Sequence, residues 1–199
     1  MYKTIIKPVL DLLLSILAIV LLFPAFIIIS LAIKIDSNGP IFFRQERLGL
    51  NGKIFRIYKF RTMVDRAIEK GTGLATFEND PRITKVGAFL RKTSLDEIPQ
   101  LINILKGEMS FIGPRPPVSY YPYKFEDYNE FEKQRFKVKP GISGLAAIKC
   151  REIHDWSINI PIDVEYVQNI SFALDVKLFF QSLMSFFRTN NVYSKKSQS

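Results

Sequence analysis

Leu12-Leu13-Leu14-Ser15-Ile16-Leu17-Ala18-Ile19-Val20-Leu21-Leu22-Phe23-Pro24-Ala25-Phe26-Ile27-Ile28-Ile29-Ser30-Leu31-Ala32-Ile33 is almost unbroken hydrocarbon, interrupted only by Ser15, Ser30 and Pro24. A bilayer core needs roughly 20 apolar residues in helical form, so the run is long enough to cross one. It exceeds the apolar region of a secretory leader, and no small-x-small cleavage site follows, which argues against a cleaved signal peptide. The default expectation is a single spanning helix. Two features oppose it. Pro24 falls near the middle, where it deletes a backbone hydrogen bond and crowds the preceding turn. Both flanks are basic, with Lys3 and Lys7 before and Lys34, Arg44 and Arg47 after, so the cytoplasmic bias of cations does not separate the two ends. A helix that enters one leaflet, breaks at Pro24 and returns would leave both ends on one side. Carbonyls freed at such a break would need partners within the fold or from Ser15 or Ser30. Charge and proline alone leave the spanning and re-entrant readings both standing.

The composition narrows the chemistry of the rest. Over 199 residues the net charge is +9 and the pI about 9.6, so anionic partners are expected: phosphates, nucleic acid or an acidic membrane face. A single cysteine, Cys150, excludes an intramolecular disulfide framework and any CxxC pair. The only histidine, His154, rules out a His-rich metal centre. A Ser-His-Asp site would have to use it, and nothing around it resembles a nucleophile elbow.

Asp36-Ser37-Asn38-Gly39-Pro40 is a turn cluster that closes the apolar segment. Beyond it, Ile41 to Gly49 and Ile54 to Arg61 flank Asn51-Gly52, and this pattern predicts a β-hairpin. Strand alternation puts Lys59 and Arg61 on one face, either as paired cations or as a charged strand edge. A short helix is expected over 64–70, a loop over 71–81 and a helix over 84–92 that delivers Arg91. Met109 to Pro117 is too rich in proline for a helix and predicts a rigid extended loop presenting Arg115, the side chain best matched to phosphate oxygens. Aromatic and charged residues alternate at roughly helical spacing from Tyr120 to Lys137, which predicts an amphipathic helix. Pro140-Gly141-Ile142-Ser143-Gly144 reads as a glycine loop, and two further helices follow over 164–170 and 174–187. The phenylalanines of the last suit a membrane interface or a core equally.

Asp96 and Glu97 are the carboxylates on which a site would be built. They lie between Arg91-Lys92 and Pro99, with Gly107 as a helix stop. A helix N-terminus favours anions, so the pair could serve a phosphate-handling site as nucleophile or metal ligand. Ser94-x-x-Glu97 also has the spacing of a capping box, which needs no chemistry.

Five stretches together resemble the bacterial sugar transferases, the monotopic phosphoglycosyl transferases that prime polyprenol-linked glycan assembly. They are Gly39 to Gly49, Lys59-Phe60-Arg61-Thr62-Met63, Ser94 to Gln100, Gly113-Pro114-Arg115-Pro116 and Lys139 to Leu145, in the family's order. The likeness is to the small members that consist of the catalytic unit alone. The chain departs from the family pattern at Ala147 and Lys149-Cys150, where glutamine and asparagine-glycine are more usual. The resemblance implies transfer of sugar-1-phosphate from a UDP-sugar to polyprenol (undecaprenyl) phosphate with release of UMP, with Asp96 as nucleophile and Glu97 holding Mg²⁺. Lys59, Arg61, Arg91 and Arg115 are the candidates for diphosphate and lipid-phosphate contacts, with a surface or structural ion pair as the alternative for each. The resemblance also implies a membrane segment broken at Pro24 and re-entrant, in the bacterial inner membrane, with the catalytic domain on the cytoplasmic face. Membrane lipid and other glycan-assembly enzymes are further expected partners, and nucleic acid is not. The expected fold is mainly α with a small β-hairpin (α+β), divided into a membrane segment at 1–37 and a catalytic domain at 38–199 that ends in a polar tail from 188. A reading from another class, a membrane-anchored adaptor that binds anionic lipid or nucleic acid, would show steep salt dependence and tolerate loss of either carboxylate. Its basic residues ought to cluster, and here they are spread among specific turns.

Overall fold

The apolar run folds as one long helix. A turn of π-helix over Tyr2–Ile6 leads into α1, Lys7–Asp36, in a computed structural model that describes residues 1–69, 73, 76–77, 80–150 and 155–187. No helix end falls at Pro24, which lies inside α1. Proline removes one N–H, whereas ending the helix would leave several carbonyls unpaired, and in apolar surroundings the smaller loss prevails. Ser15 serves no break either, since its hydroxyl donates to the Leu12 carbonyl at 2.8 Å.

Burial on α1 follows the helical period. Lys7, Asp11, Ser15 and Ile33 are buried, and Ile19, Leu22, Phe26 and Ile29 pack on the core between them. Leu13, Leu17, Val20, Leu21, Phe23, Ile28 and Leu31, on the other side, stay exposed. Polarity is thus turned inward and hydrocarbon outward, as a lipid-facing helix requires. Both ends are fastened to the same body. Lys7 Nζ meets Asp175 Oδ2 at 2.7 Å, and the Phe111 N–H donates to Asp11 at 3.2 Å. At the other end the Asp36 carboxylate accepts the Val86 N–H at 2.8 Å, in the first turn of α2, Lys85–Lys92.

The expected hairpin forms. β1, Phe42–Leu48, pairs antiparallel with β2, Ile54–Phe60, in a register running from Phe42↔Phe60 to Leu48↔Ile54. Asn51 and Gly52 turn it with φ of 53° and 75°, both left-handed, which is why Asn-Gly suits the position. Phe55 and Ile57 pack on Leu101, Ile104 and Met109 around the short helix α3, Leu101–Leu105. Asn103 in α3 is fully buried and knits the two elements. Its amide donates to the Arg56 carbonyl at 2.8 Å and to Glu108 at 2.7 Å, and its oxygen accepts the Tyr58 N–H at 2.9 Å.

A second, parallel pair went unanticipated: β3, Ser110–Ile112, with β4, Gly141–Ser143. It explains the glycine loop. A Cβ on Gly113 would stand 2.5 Å from the Lys139 carbonyl oxygen, and one on Gly141 would stand 2.1 Å from the Gly113 nitrogen. These glycines let two backbones touch beneath the Arg115 loop.

The amphipathic helix expected over 120–137 is not there. Two 3-10 turns, Phe125–Asp127 and Glu132–Lys137, replace it, after a cis Tyr121–Pro122 bond. Pro122 lacks a helical donor, and Asn129 with Glu132 forms a reciprocal cap that starts a new turn instead: Asn129 Oδ1 accepts the Glu132 N–H and Glu132 accepts the Asn129 N–H. Helices α4, Leu145–Lys149, α5, Trp156–Gln168, and α6, Phe172–Phe187, complete the described chain. The helix expected over 64–70 is a single 3-10 turn, Ala67–Glu69. Much of the loop expected over 71–81, His154 and the tail from 188 lie outside the described residues. On α6, Asp175, Leu178 and Ser182 face inward while Phe172, Phe180 and Met184 are exposed, so this helix serves core and outer surface with opposite sides.

Candidate active site

Asp96 and Glu97 sit in a 3-10 turn, Leu95–Gln100, between α2 and α3. Ser94 enters it with φ of 53° and makes no side-chain cap, so the possible capping box does not form. The backbone alone closes the turn, with the Glu97 N–H on the Ser94 carbonyl at 3.2 Å. Both carboxylates are thereby left for other work. Pro99 lies inside this turn rather than opening α3, while Gly107, φ 73°, ends α3 as expected.

Lys59, projecting from β2, reaches both acids. Its Nζ lies 2.5 Å from Glu97 Oε1 and 3.9 Å from Asp96 Oδ2. The three side chains are 14–23% exposed, covered yet reachable from solvent. Burial pushes the Asp96 carboxyl above its ordinary range; Lys59 pulls it back, Glu97 pushes it further and Arg91 pulls it back again. Burial acts on Glu97 in the same direction, but Lys59, Arg115 and Arg47 together outweigh it and hold Glu97 below the carboxylate norm. Two neighbouring acids are driven apart, the pattern that separates catalytic roles. Glu97 is a fixed anion suited to a cation, and Asp96 is the more basic oxygen.

The expected cations divide. Arg91, in the last turn of α2, anchors its Nε on Thr62 Oγ1 at 2.9 Å and acts on Asp96. Arg115 acts on Glu97 from the loop after β3. Arg61 does not join them. It is buried beneath the C-terminus of α1, where its guanidinium donates to the carbonyls of Asn38 at 2.8 Å and Ser37 at 2.7 Å. The chain has left β2 at Phe60, so the alternation that predicted a shared face ends one residue too early. The unpaired carbonyls at a helix C-terminus then draw the cation. Arg47 went unrecognised as a site residue. Burial, then the neighbouring Arg115, lowers its guanidinium to about 10, while Glu97 opposes the change. Its signal was the period of two: Arg47 pairs with Phe55, and Phe43 with Lys59, so Arg47 and Lys59 share one sheet face.

Among the described residues no three His, Cys, Asp or Glu side chains gather into a metal-binding group. The donor set is therefore two adjacent carboxylates. That fits magnesium, which takes one or two carboxylates together with water and substrate phosphate oxygens.

The family model for bacterial sugar transferases matches residues 2–189. The chain is 39% identical over 188 residues to the UDP-glucose:undecaprenyl-phosphate glucose-1-phosphate transferase of Escherichia coli, an alignment covering 92% of this chain and 40% of that protein. Against the UDP-N-acetylgalactosamine-undecaprenyl-phosphate N-acetylgalactosaminephosphotransferase of Aeromonas hydrophila it is 39% identical over 181 residues, covering 89% and 43%. Against the uncharacterized sugar transferase EpsL of Bacillus subtilis it is 45% identical over 147 residues, covering 73% and 69%. The chain thus spans well under half the length of the first two and about two thirds of the third.

Proposed function

Because the chain belongs to the bacterial sugar transferase family, we propose that it moves sugar-1-phosphate from a UDP-sugar to undecaprenyl phosphate, releasing UMP, as the first step of a glycan. The observation that carries this reading is the convergence on Asp96 and Glu97 of Lys59 from β2, Arg91 from α2 and Arg115 from the loop after β3. With Arg47, four cations face two carboxylates, an excess of two positive charges suited to a diphosphate. The donor and acceptor are carried over from the names of the Escherichia and Aeromonas relatives.

In this mechanism Asp96 Oδ attacks the sugar-bearing phosphorus. The bond from that phosphorus to the bridging oxygen breaks, and UMP leaves with the electron pair. The sugar phosphate remains as an acyl phosphate on Asp96. An oxygen of the lipid phosphate then attacks the same phosphorus, and the Asp96 carboxylate is regenerated. A covalent intermediate divides one transfer between a water-soluble and a lipid-bound substrate into two displacements at one site. Arg91 and Lys59 favour the ionised form of Asp96 that must attack, and Arg115 and Arg47 offset charge on the diphosphate. Glu97, with Asp96 beside it, would hold Mg²⁺, which when bound supplies Lewis-acid neutralisation of the phosphate oxygens. A purely electrostatic adaptor needs no such pair of divergent acids.

We infer further that α1 enters and leaves on one membrane face, placing the site at the cytoplasmic surface of the inner membrane. Support comes from its contacts. At 1.5 Å per residue α1 is about 45 Å long, yet Lys7, Ile19, Leu22, Phe26 and Asp36 all bear on one body. A spanning α1 would carry that body and its charges through the bilayer. With Cys150 replaced by serine, single cysteines near Lys3 and near Asn38 should be labelled from the same side; labelling from opposite sides would restore a spanning helix.

The direct test is UMP release by the purified chain with undecaprenyl phosphate, Mg²⁺ and a panel of UDP-sugars. Asp96→Asn should lower turnover by about 10⁴-fold, as removal of an essential nucleophile does, and abolish a sugar-phosphate adduct on the protein detected by mass spectrometry. Near-normal turnover in Asp96→Asn would remove the nucleophile assignment.

A further inference from the structure

Against the Arg115 loop lies a charge pair that the transfer chemistry leaves unused. Arg135, from the 3-10 turn Glu132–Lys137, and Asp163, from α5, are each 1% exposed. Arg135 Nη2 donates to Asp163 Oδ2 at 2.5 Å and also to the Arg115 carbonyl at 2.8 Å. Burial pushes the Asp163 carboxyl up, and Arg135, then Arg115, oppose the rise. The Arg115 carbonyl is therefore held by one member of a buried ion pair, Arg135, whose other member holds the Arg135 guanidinium in place.

The neighbours extend the hold. The Pro114 carbonyl accepts the Gly141 N–H at 3.0 Å, and the Pro116 carbonyl accepts Arg47 Nη1 at 2.9 Å. Prolines on either side fix their own φ. The Arg135 guanidinium lies 5.1 Å from the Trp156 ring centre and 5.4 Å from that of Phe136, so aromatic faces take the charge its remaining N–H groups do not share.

Stability alone does not account for such a pair. Replacing a buried ion pair by apolar groups of similar volume is often neutral or stabilising, because two desolvated charges barely recover their hydration. What the apolar substitute lacks is direction. We propose that Arg135 and Asp163 are positioning residues: a clamp in which Asp163 orients Arg135 and Arg135 holds the Arg115 carbonyl, so that the Arg115 guanidinium is already aimed at the donor diphosphate. The inference rests on the reading of Arg115 as a phosphate contact. A preorganised arginine binds with less ordering cost than a loose one.

The test uses the full chain in detergent with Mg²⁺, and UDP as the probe, since it carries the diphosphate without committing to a sugar. UDP affinity is measured by calorimetry alongside KM and kcat for transfer. The paired substitution Arg135→Met with Asp163→Leu should melt close to the parent, weaken UDP binding about tenfold and raise KM more than it lowers kcat. In an Arg115→Ala background the same pair should change UDP affinity less than twofold, because the group being aimed is gone. An equal loss in both backgrounds means that the pair serves general stability and overturns the clamp. Should the paired variant fail to fold, Asp163→Asn takes its place in the same cycle and is judged by the same non-additivity. If Arg115→Ala alone binds UDP as the parent does, the phosphate role of Arg115 fails first, and the clamp with it. Loss of UDP binding in Arg115→Ala with no loss in the clamp variants would overturn the clamp alone.

Discussion

Lys59–Glu97 and Arg135–Asp163 are ion pairs of the same length, 2.5 Å, in opposite settings. The first has side chains 19% and 23% exposed, a second carboxylate 3.9 Å away and surplus cations around it. The second is sealed at 1% and 2%, and its remaining capacity is spent on the Arg115 backbone and two aromatic rings. Contact distance does not tell the two apart. What does is whether charge is left over. A pair whose two charges balance and are sealed from solvent is built to stay, whereas a pair with charge left over is built to receive something.

The sharpest way to break this contrast is to remove one partner from each. Asp163→Ala leaves Arg135 buried and uncompensated, and should cost about 3–5 kcal/mol in denaturant unfolding. Lys59→Met removes a partly solvated partner and should cost about 1 kcal/mol or less. Equal costs would mean that the two pairs do the same job. Asn103 is an uncharged version of the sealed class, with both its amide and its oxygen engaged beneath Lys59. Asn103→Leu leaves the Tyr58 N–H and the Arg56 carbonyl without their partner, and should cost about 2–3 kcal/mol. A smaller cost, under about 1 kcal/mol, would show that β2 finds other donors and that Asn103 is not what fixes the strand carrying Lys59.

The same contrast explains what could be read in the residues beforehand. The hairpin, α2 and the last helix follow from Asn-Gly, Thr84 and apolar periodicity, all local in origin. Asp96, Glu97 and Arg115 were legible as candidates because each lies in a short stretch with turn chemistry of its own, Lys59 because of its strand alternation and Arg91 because its helix ends beside the carboxylates. Features set by distant partners were not legible. Arg61 obeys the end of α1 rather than its own strand, and the segment 120–137 obeys Pro122 and the Asn129–Glu132 cap rather than its aromatic spacing. Arg135 and Asp163 lie 28 residues apart, and nothing local to either announces the other. Pro24 is a local signal, whereas the inward stripe from Lys7 to Ile33 that fastens α1 along its length to the body is a tertiary one.

The smallest expected effect concerns the open pair, and its sign is determined. Asp96 must be ionised to attack, so kcat/KM should be flat above its pKa and fall tenfold per pH unit below it. Burial raises that pKa in the parent, Lys59 and Arg91 oppose the rise and Glu97 adds to it. Lys59→Met takes away the strongest opposing charge, so the acid limb should move to higher pH. Arg91→Met should move it the same way by less, because its influence on Asp96 is smaller. Glu97→Gln removes a like charge and should move the limb to lower pH, with the magnesium requirement changing as well. The three profiles, taken at one fixed magnesium concentration, must therefore shift in two directions. Arg135→Lys, in the sealed pair, should alter KM without moving the limb, since its charge is shielded from Asp96 and its influence runs through the Arg115 backbone. A limb that moved with Arg135 but not with Lys59 would invert the division between the pair that receives charge and the pair that holds the frame.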